Sequence, residues 1–328
     1  MTSAVDLLVG AVDVGATKTN VAVIRLPSDR PPVASDLPRR VRRIETDRDP
    51  DRHHAAVAVA LADLVPAGGS LAAAGVAAPG PLDPATGTIL HSPNLGWREH
   101  PFGPALAARL GVPVAVEDDA NAGALGEARM GAGAGQDSVL YLTLSTGVGA
   151  GIVVGGHLVR GAHQAAGEIG HLVVDPAGPR CACGGRGHVE AFVGGTGLAG
   201  RAARAWPSGR LADGRPAPAD AAGVLRLART GETTAARLAD EAVAALALAL
   251  AAACAVLDPG VIVVGGSLGL GQRSLVRRAA VAARRLVLAE AAQSLVVIPA
   301  ALGDRSPLVG VALAAADLVG LREGPGRA

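Results

Sequence analysis

Two segments of the chain share one plan, and that plan narrows the folds open to it. An apolar run at 7–12 leads into DVGATKTN (13–20), and 21–26 is apolar again. Farther on, an apolar run at 139–144 leads into STGVGAG (145–151), followed by apolar residues at 152–154. Apolar runs on both sides of a Gly-containing turn predict a β-hairpin. A Walker loop would need a helix after its glycines instead. Two hairpins with similar turns predict two related lobes facing one cleft.

A turn rich in Gly and Thr can aim several backbone N–H groups inward, because Gly accepts the positive φ angles this requires. Such a concavity suits phosphate oxygens. In the first turn the candidates are Gly15, Thr17 and Lys18, with Asp13 at the strand end, where a carboxylate can hold a hydrated divalent cation. Thr146, Gly147 and Gly149 are their counterparts in the second. Two ordinary hairpins in a glycine-rich chain are the plainer alternative. Gly265 and Gly266 after a buried strand, and GGTG at 194–197 with Gly195 and Thr196, suit close backbone approach to a nucleoside.

Between the hairpins, 54–65 reads as a helix, 71–78 as a buried strand stopped by Pro79-Gly-Pro, 101–110 as a helix and 112–116 as a strand. The stretch 27–43 reads as surface loop and edge strand. The acidic run EDDAN (117–121) opens an Ala/Leu-rich helix, and either Asp118 or Asp119 suits its N-cap. A lobe boundary is expected there, giving a small lobe of residues 1–118 joined by a C-terminal helix at 306–328, and a large lobe of residues 119–305.

With 328 residues, two lobes are the default. Aromatics make up only 2% of the chain, so Ala, Val and Leu must build the core. The formal charge of +1 leaves no footprint for nucleic acid or an anionic membrane. The apolar run at 241–256 is expected to be a buried helix, too short for a membrane span and closed by Asp258-Pro-Gly. Three cysteines do not make a disulfide framework, which fits a reducing cytoplasm. His171, Cys181, Cys183 and His188 form a compact set of nitrogen and sulfur donors able to close a tetrahedral structural zinc site. A metal-free loop with two thiols is the alternative.

The ordered segments APGP (78–81), SPNL (92–95), EDDAN (117–121), AGEIGH (166–171) and CACGGRGHVE (181–190), together with both turns, resemble the ROK family of sugar kinases and sugar-responsive regulators. The resemblance runs from Asp13 to about Leu318. It implies an α/β, two-lobed actin/hexokinase-like (RNase H-like) ATPase fold, with ATP and Mg²⁺ as cofactors and a hexose, most readily glucose, as acceptor. By the same resemblance Asp119 is the base that activates the sugar hydroxyl, and Gly80, Asn94, Asp118, Glu168, His171 and Glu190 are sugar contacts. His171 doubles as a metal ligand. Two positions depart from the family pattern: Asp118 stands where Asn is usual, and His188 where a third Cys is usual. N-acetylmannosamine, N-acetylglucosamine, fructose and allose are alternative acceptors, polyphosphate an alternative donor, and a catalytically weak sugar sensor an alternative function. A homodimer is the expected assembly. The DNA-binding repressors of the family need a helix-turn-helix before the first turn, for which no room is expected ahead of Asp13.

Overall fold

In the computed structural model, which describes residues 6–38, 40–92 and 94–320, the elements run β1 (Leu7–Val14), β2 (Lys18–Leu26), β3 (Val41–Glu45), α1 (Pro50–Ala62), β4 (Ala73–Ala78), β5 (Leu82–Asp83), β6 (Thr88–Ser92), β7 (Trp97–His100), α2 (Phe102–Leu110), β8 (Val114–Asp118) and α3 (Asp119–Met130). The chain continues through β9 (Ser138–Leu144), β10 (Val148–Val154), β11 (His157–Leu158), α4 (Val189–Val193), α5 (Gly195–Ala205), α6 (Ala221–Ala228) and α7 (Thr233–Leu257). It closes with β12 (Val261–Gly265), α8 (Ser267–Gly271), α9 (Arg273–Ala283), α10 (Ala289–Ser294), β13 (Val297–Pro299) and α11 (Ser306–Leu318).

Contacts group the chain into two compact units. The first comprises the residues up to Gly135, Gly151–Ala166 and those from Arg305 onward; the second comprises Gln136–Ala150 and Gly167–Asp304. The sequence placed the boundary at Asp118, whereas the contacts keep α3 in the first unit. The reason is steric. A Cβ on Gly310 of α11 would collide with the Ala122 carbonyl of α3, and one on Gly126 of α3 would lie 2.5 Å from the Ser306 carbonyl. The two helices therefore approach backbone to backbone, and Arg129 of α3 adds a two-bond pair to Asp317 (2.9 and 2.9 Å). Of the C-terminal helix expected at 306–328, residues 321–328 lie outside the described residues.

The first unit's main sheet has the order β3-β2-β1-β4-β8, with β1 and β2 antiparallel and β4 parallel to both β1 and β8. β4, AAGVAA, is buried throughout, as a central parallel strand covered on both faces must be. β5, β6 and β7 form a small separate sheet. Val57 and Leu61 of α1 and Phe102 and Leu106 of α2 join a core with Trp97 and the strand valines. Helix α1 starts earlier than the predicted 54–65. Asp49 caps it through Asp51 and Arg52, and Pro50 takes the first position, where its missing N–H costs nothing.

In the second unit the start of β10 (Val148–Ala150), β9, β12 and β13 are neighbours in that order, while β11 and the rest of β10, which pair with each other, are grouped with the first unit. The apolar run predicted at 241–256 is part of a longer helix. α7 has 25 residues and is long and apolar enough to cross a membrane by those measures alone. Within the unit it packs against α4, α5, α6 and α9, burying a face that runs from Ala235 to Cys254.

Candidate active site

The junction of β8 and α3 brings three acids into succession, and the fold gives each a different environment. Asp118 is the N-cap: its Oδ1 accepts the backbone N–H groups of Ala120 (2.9 Å) and Asn121 (3.2 Å). Asp119 is the first helical residue, so capping falls to Asp118 and not to Asp119. Glu117 is 2% exposed. Its Oε2 accepts both Nε (2.8 Å) and an NH2 group (2.5 Å) from Arg160. Its Oε1 accepts the Asp118 N–H (3.1 Å) and the Asn121 side-chain amide (3.2 Å). A buried carboxylate is tolerable only when paired and hydrogen-bonded in this way. Burial, and next the charge of Asp119, push the Asp118 carboxyl well above the usual carboxylate range, against the two helix N–H bonds that favour its ionised form.

Gly80 lies just past β4 with φ 102°, packed so closely on the His91 carbonyl that no side chain fits. Asn94 is exposed, and its neighbour Pro93 in the SPNL segment lies outside the described residues. At the first hairpin turn the Gly15 N–H donates to the Lys18 carbonyl (3.0 Å). Asp13 accepts the Asn20 amide (3.1 Å), and Arg43 in turn donates to Asn20 (3.3 Å).

In the second unit the candidate nucleotide residues converge on the other hairpin turn. The N–H groups of Gly195 and Thr196 donate to the carbonyls of Ser145 (2.8 Å) and Thr146 (3.0 Å), which ties the start of α5 to that turn. Of the GGTG segment, Gly195, Thr196 and Gly197 form the first residues of α5, and Gly194 is an N-cap with no side-chain bond. Gly266, at φ 76°, sits against the Leu144 carbonyl, and Ser267 Oγ lies 3.2 Å from Ser145 Oγ. Thr146, Gly147, Gly195, Thr196, Gly265 and Gly266 thus surround one turn, with Gly149 on the strand that leaves it.

The donor atoms of His171, Cys181, Cys183 and His188 all lie within 4.8 Å of one another. His188 Nδ1 is 3.4 Å from His171 Nδ1 and 3.2 Å from Cys183 Sγ. A tetrahedron with zinc–nitrogen and zinc–sulfur bonds has edges of about 3.3–3.8 Å, so this donor set fits the ion. His171 turns its other nitrogen toward Glu168, 3.7 Å away. Such an outer carboxylate is the usual companion of a ligating histidine.

Glu190 is more heavily engaged than its assignment as a sugar contact foresaw. Its Oε2 accepts the Val148 N–H in the second hairpin (3.0 Å), and its Oε1 faces the Cys181 thiol (3.6 Å). A Cβ on Gly147 would meet that same carboxylate, which is why the turn needs glycine there. Burial pushes the Cys181 thiol up to about 11. Sequence reasoning missed Arg160 and the Glu190–Val148 bond. Arg160 carries no local signal, being one of many arginines and 43 residues from Glu117.

Two units of strands and helices, with two five-stranded sheets and two Gly/Thr hairpin turns between them, define an α/β protein of the actin/hexokinase-like ATPase class. More narrowly, the chain belongs to the ROK family, whose model matches residues 9–317. It is 32% identical to a glucokinase of Streptomyces coelicolor over 265 residues, 78% of this chain and 81% of that one. Among solved structures it resembles the ROK hexokinase of Thermus thermophilus, with 34% identity and TM-score 0.82 over 95% of this chain and 99% of that one. A ROK glucokinase from Streptomyces griseus, in complex with glucose and AMPPNP, matches at 30% identity and TM-score 0.74 over 94% of this chain and 99% of that one.

Proposed function

We propose that this protein is an ATP-dependent hexose kinase that transfers the γ-phosphoryl group to a sugar hydroxyl, with the 6-hydroxyl of glucose as the first candidate. The observation that supports this is that Asp118 does the capping at the start of α3 while Asp119 is its first helical residue; the base role is assigned to Asp119. In the reaction the sugar oxygen bonds to the γ-phosphorus as the bond to the bridging oxygen of ADP breaks. The hydroxyl proton passes to Asp119, a contribution of roughly 10²–10⁴-fold for a positioned base. Phosphoryl transfer otherwise needs alignment and charge neutralisation. The Gly/Thr turns at 13–20 and 145–151 are assigned to phosphate oxygens through their backbone N–H groups. Asp13 is assigned to a hydrated Mg²⁺ beside them, since that ion prefers oxygen ligands.

Asp118, Asn94, Glu168, His171 and Glu190 are assigned to the sugar. Structural zinc, held by His171, Cys181, Cys183 and His188, would fix the loop that carries His171 and Glu190 rather than take part in transfer. None of the three cysteines is in a disulfide, and a cytoplasmic setting is proposed. No role at a membrane or with nucleic acid is proposed. A coupled ADP-release assay over a hexose panel, with the product position found by NMR, tests the proposal. Glucose-dependent ADP release with phosphate on O6 is expected. Sugar binding without turnover on any hexose would favour a sensor instead.

A further inference from the structure

The first hairpin turn is held by a chain of hydrogen bonds that reaches it from α1, and the chain has only one possible direction. The Asp47 backbone N–H donates to His53 Nδ1 (3.3 Å). That nitrogen must therefore offer a lone pair, which leaves the proton of the neutral ring on Nε2. Nε2 lies 2.9 Å from Thr19 Oγ1, to which it donates. Thr46 spends its single hydroxyl hydrogen on the Gly15 carbonyl (2.8 Å). The 2.9 Å bond between the two threonine hydroxyls consequently runs from Thr19 to Thr46. His53 and Thr19 are 0% exposed, so no water substitutes for a lost partner. Burial lowers His53 to about 4, which keeps the ring in the neutral form the chain requires.

Thr46 grips the turn twice, because its backbone N–H also donates to the Thr17 carbonyl (3.1 Å). Every described peptide bond is trans, so each carbonyl points opposite to the N–H that follows it. With the Gly15 and Thr17 carbonyls both drawn to Thr46, the N–H groups of Ala16 and Lys18 face the other side of the turn. Those are the groups a phosphate would meet. We propose that His53, Thr19 and Thr46 form a positioning relay that sets the peptide orientation of this turn and hence the protein's affinity for the phosphates of a nucleoside triphosphate. The inference rests on the nucleotide-binding part of the function proposed above.

Thr46→Val keeps the shape of the side chain and removes the hydroxyl; Thr46→Ser restores it. Loss of the hydroxyl's bond to the Gly15 carbonyl, together with the one it accepts from Thr19, predicts that Thr46→Val weakens MgATP binding, measured by calorimetry, about tenfold. The nucleotide KM should rise in parallel while the sugar KM moves less than about twofold, and Thr46→Ser should recover most of the loss. Thr19→Val breaks the same chain one link earlier and repeats the test should Thr46→Val fold poorly. Nucleotide affinity unchanged in these variants, with only the melting temperature lowered, would overturn the proposal. Calorimetry also separates the two ideas: wild-type binding of MgATP without transfer to any sugar would defeat the kinase while leaving the relay open to the same comparison.

Discussion

A carboxylate one residue before a helix can turn back onto the first unpaired N–H groups, whereas one residue later the backbone is already helical. That single step separates Asp118 from Asp119. As a cap, Asp118 is drawn into a buried junction beside two other acids, and Arg160 spends its bonds on Glu117. Its carboxyl is therefore raised above the ordinary range. The raised value means the native state binds more protons than the unfolded one, so stability is full at low pH and falls as pH rises through the folded value. Asp118→Asn preserves the cap, since an amide oxygen accepts the same N–H bonds, and removes the titration. The melting temperature of Asp118→Asn should exceed that of the wild type by a margin that widens with pH above the usual carboxylate range and then levels off. A margin that is flat or narrows with pH would contradict this.

Elements were legible where their signals are local. The two hairpins, the helix opened by EDDAN and the buried β4 follow from alternation, turn residues and capping that lie within a few positions of one another. The Thr46–Thr19–His53 relay was not legible, because its bonds join residues 27 and 34 apart through a fold no window of sequence contains. The length of α7 was misjudged for another reason: the polar residues of its first turns hid helical structure ahead of the apolar run. The donor set at 171–188 lies between these cases, since its residues are close in sequence but their convergence needed the folded loop. Elemental analysis of freshly purified protein should find about one zinc per chain, and Cys183→Ser with His188→Ala should abolish it. Active protein free of zinc would remove the ion from the account.

At the scale of the whole molecule, small residues allow close packing that larger side chains would block. Gly126 and Gly310 let α3 and α11 meet backbone to backbone, and this contact between residues 188 apart in the Arg129–Asp317 pair keeps α3 with the first unit. The sequence signalled two lobes but set their boundary at the chemical motif. The packing sets it after α3, at Gly135. Asp119 is thereby carried on a helix braced along its length, a rigid mount for a residue assigned to proton transfer. The most direct test of the central claim is Asp119→Asn, compared with the wild type for turnover and for sugar binding. The account predicts that kcat falls by at least about 10²-fold while the calorimetric affinity for the sugar stays within about threefold. Retained turnover in Asp119→Asn would show that Asp119 is not the base.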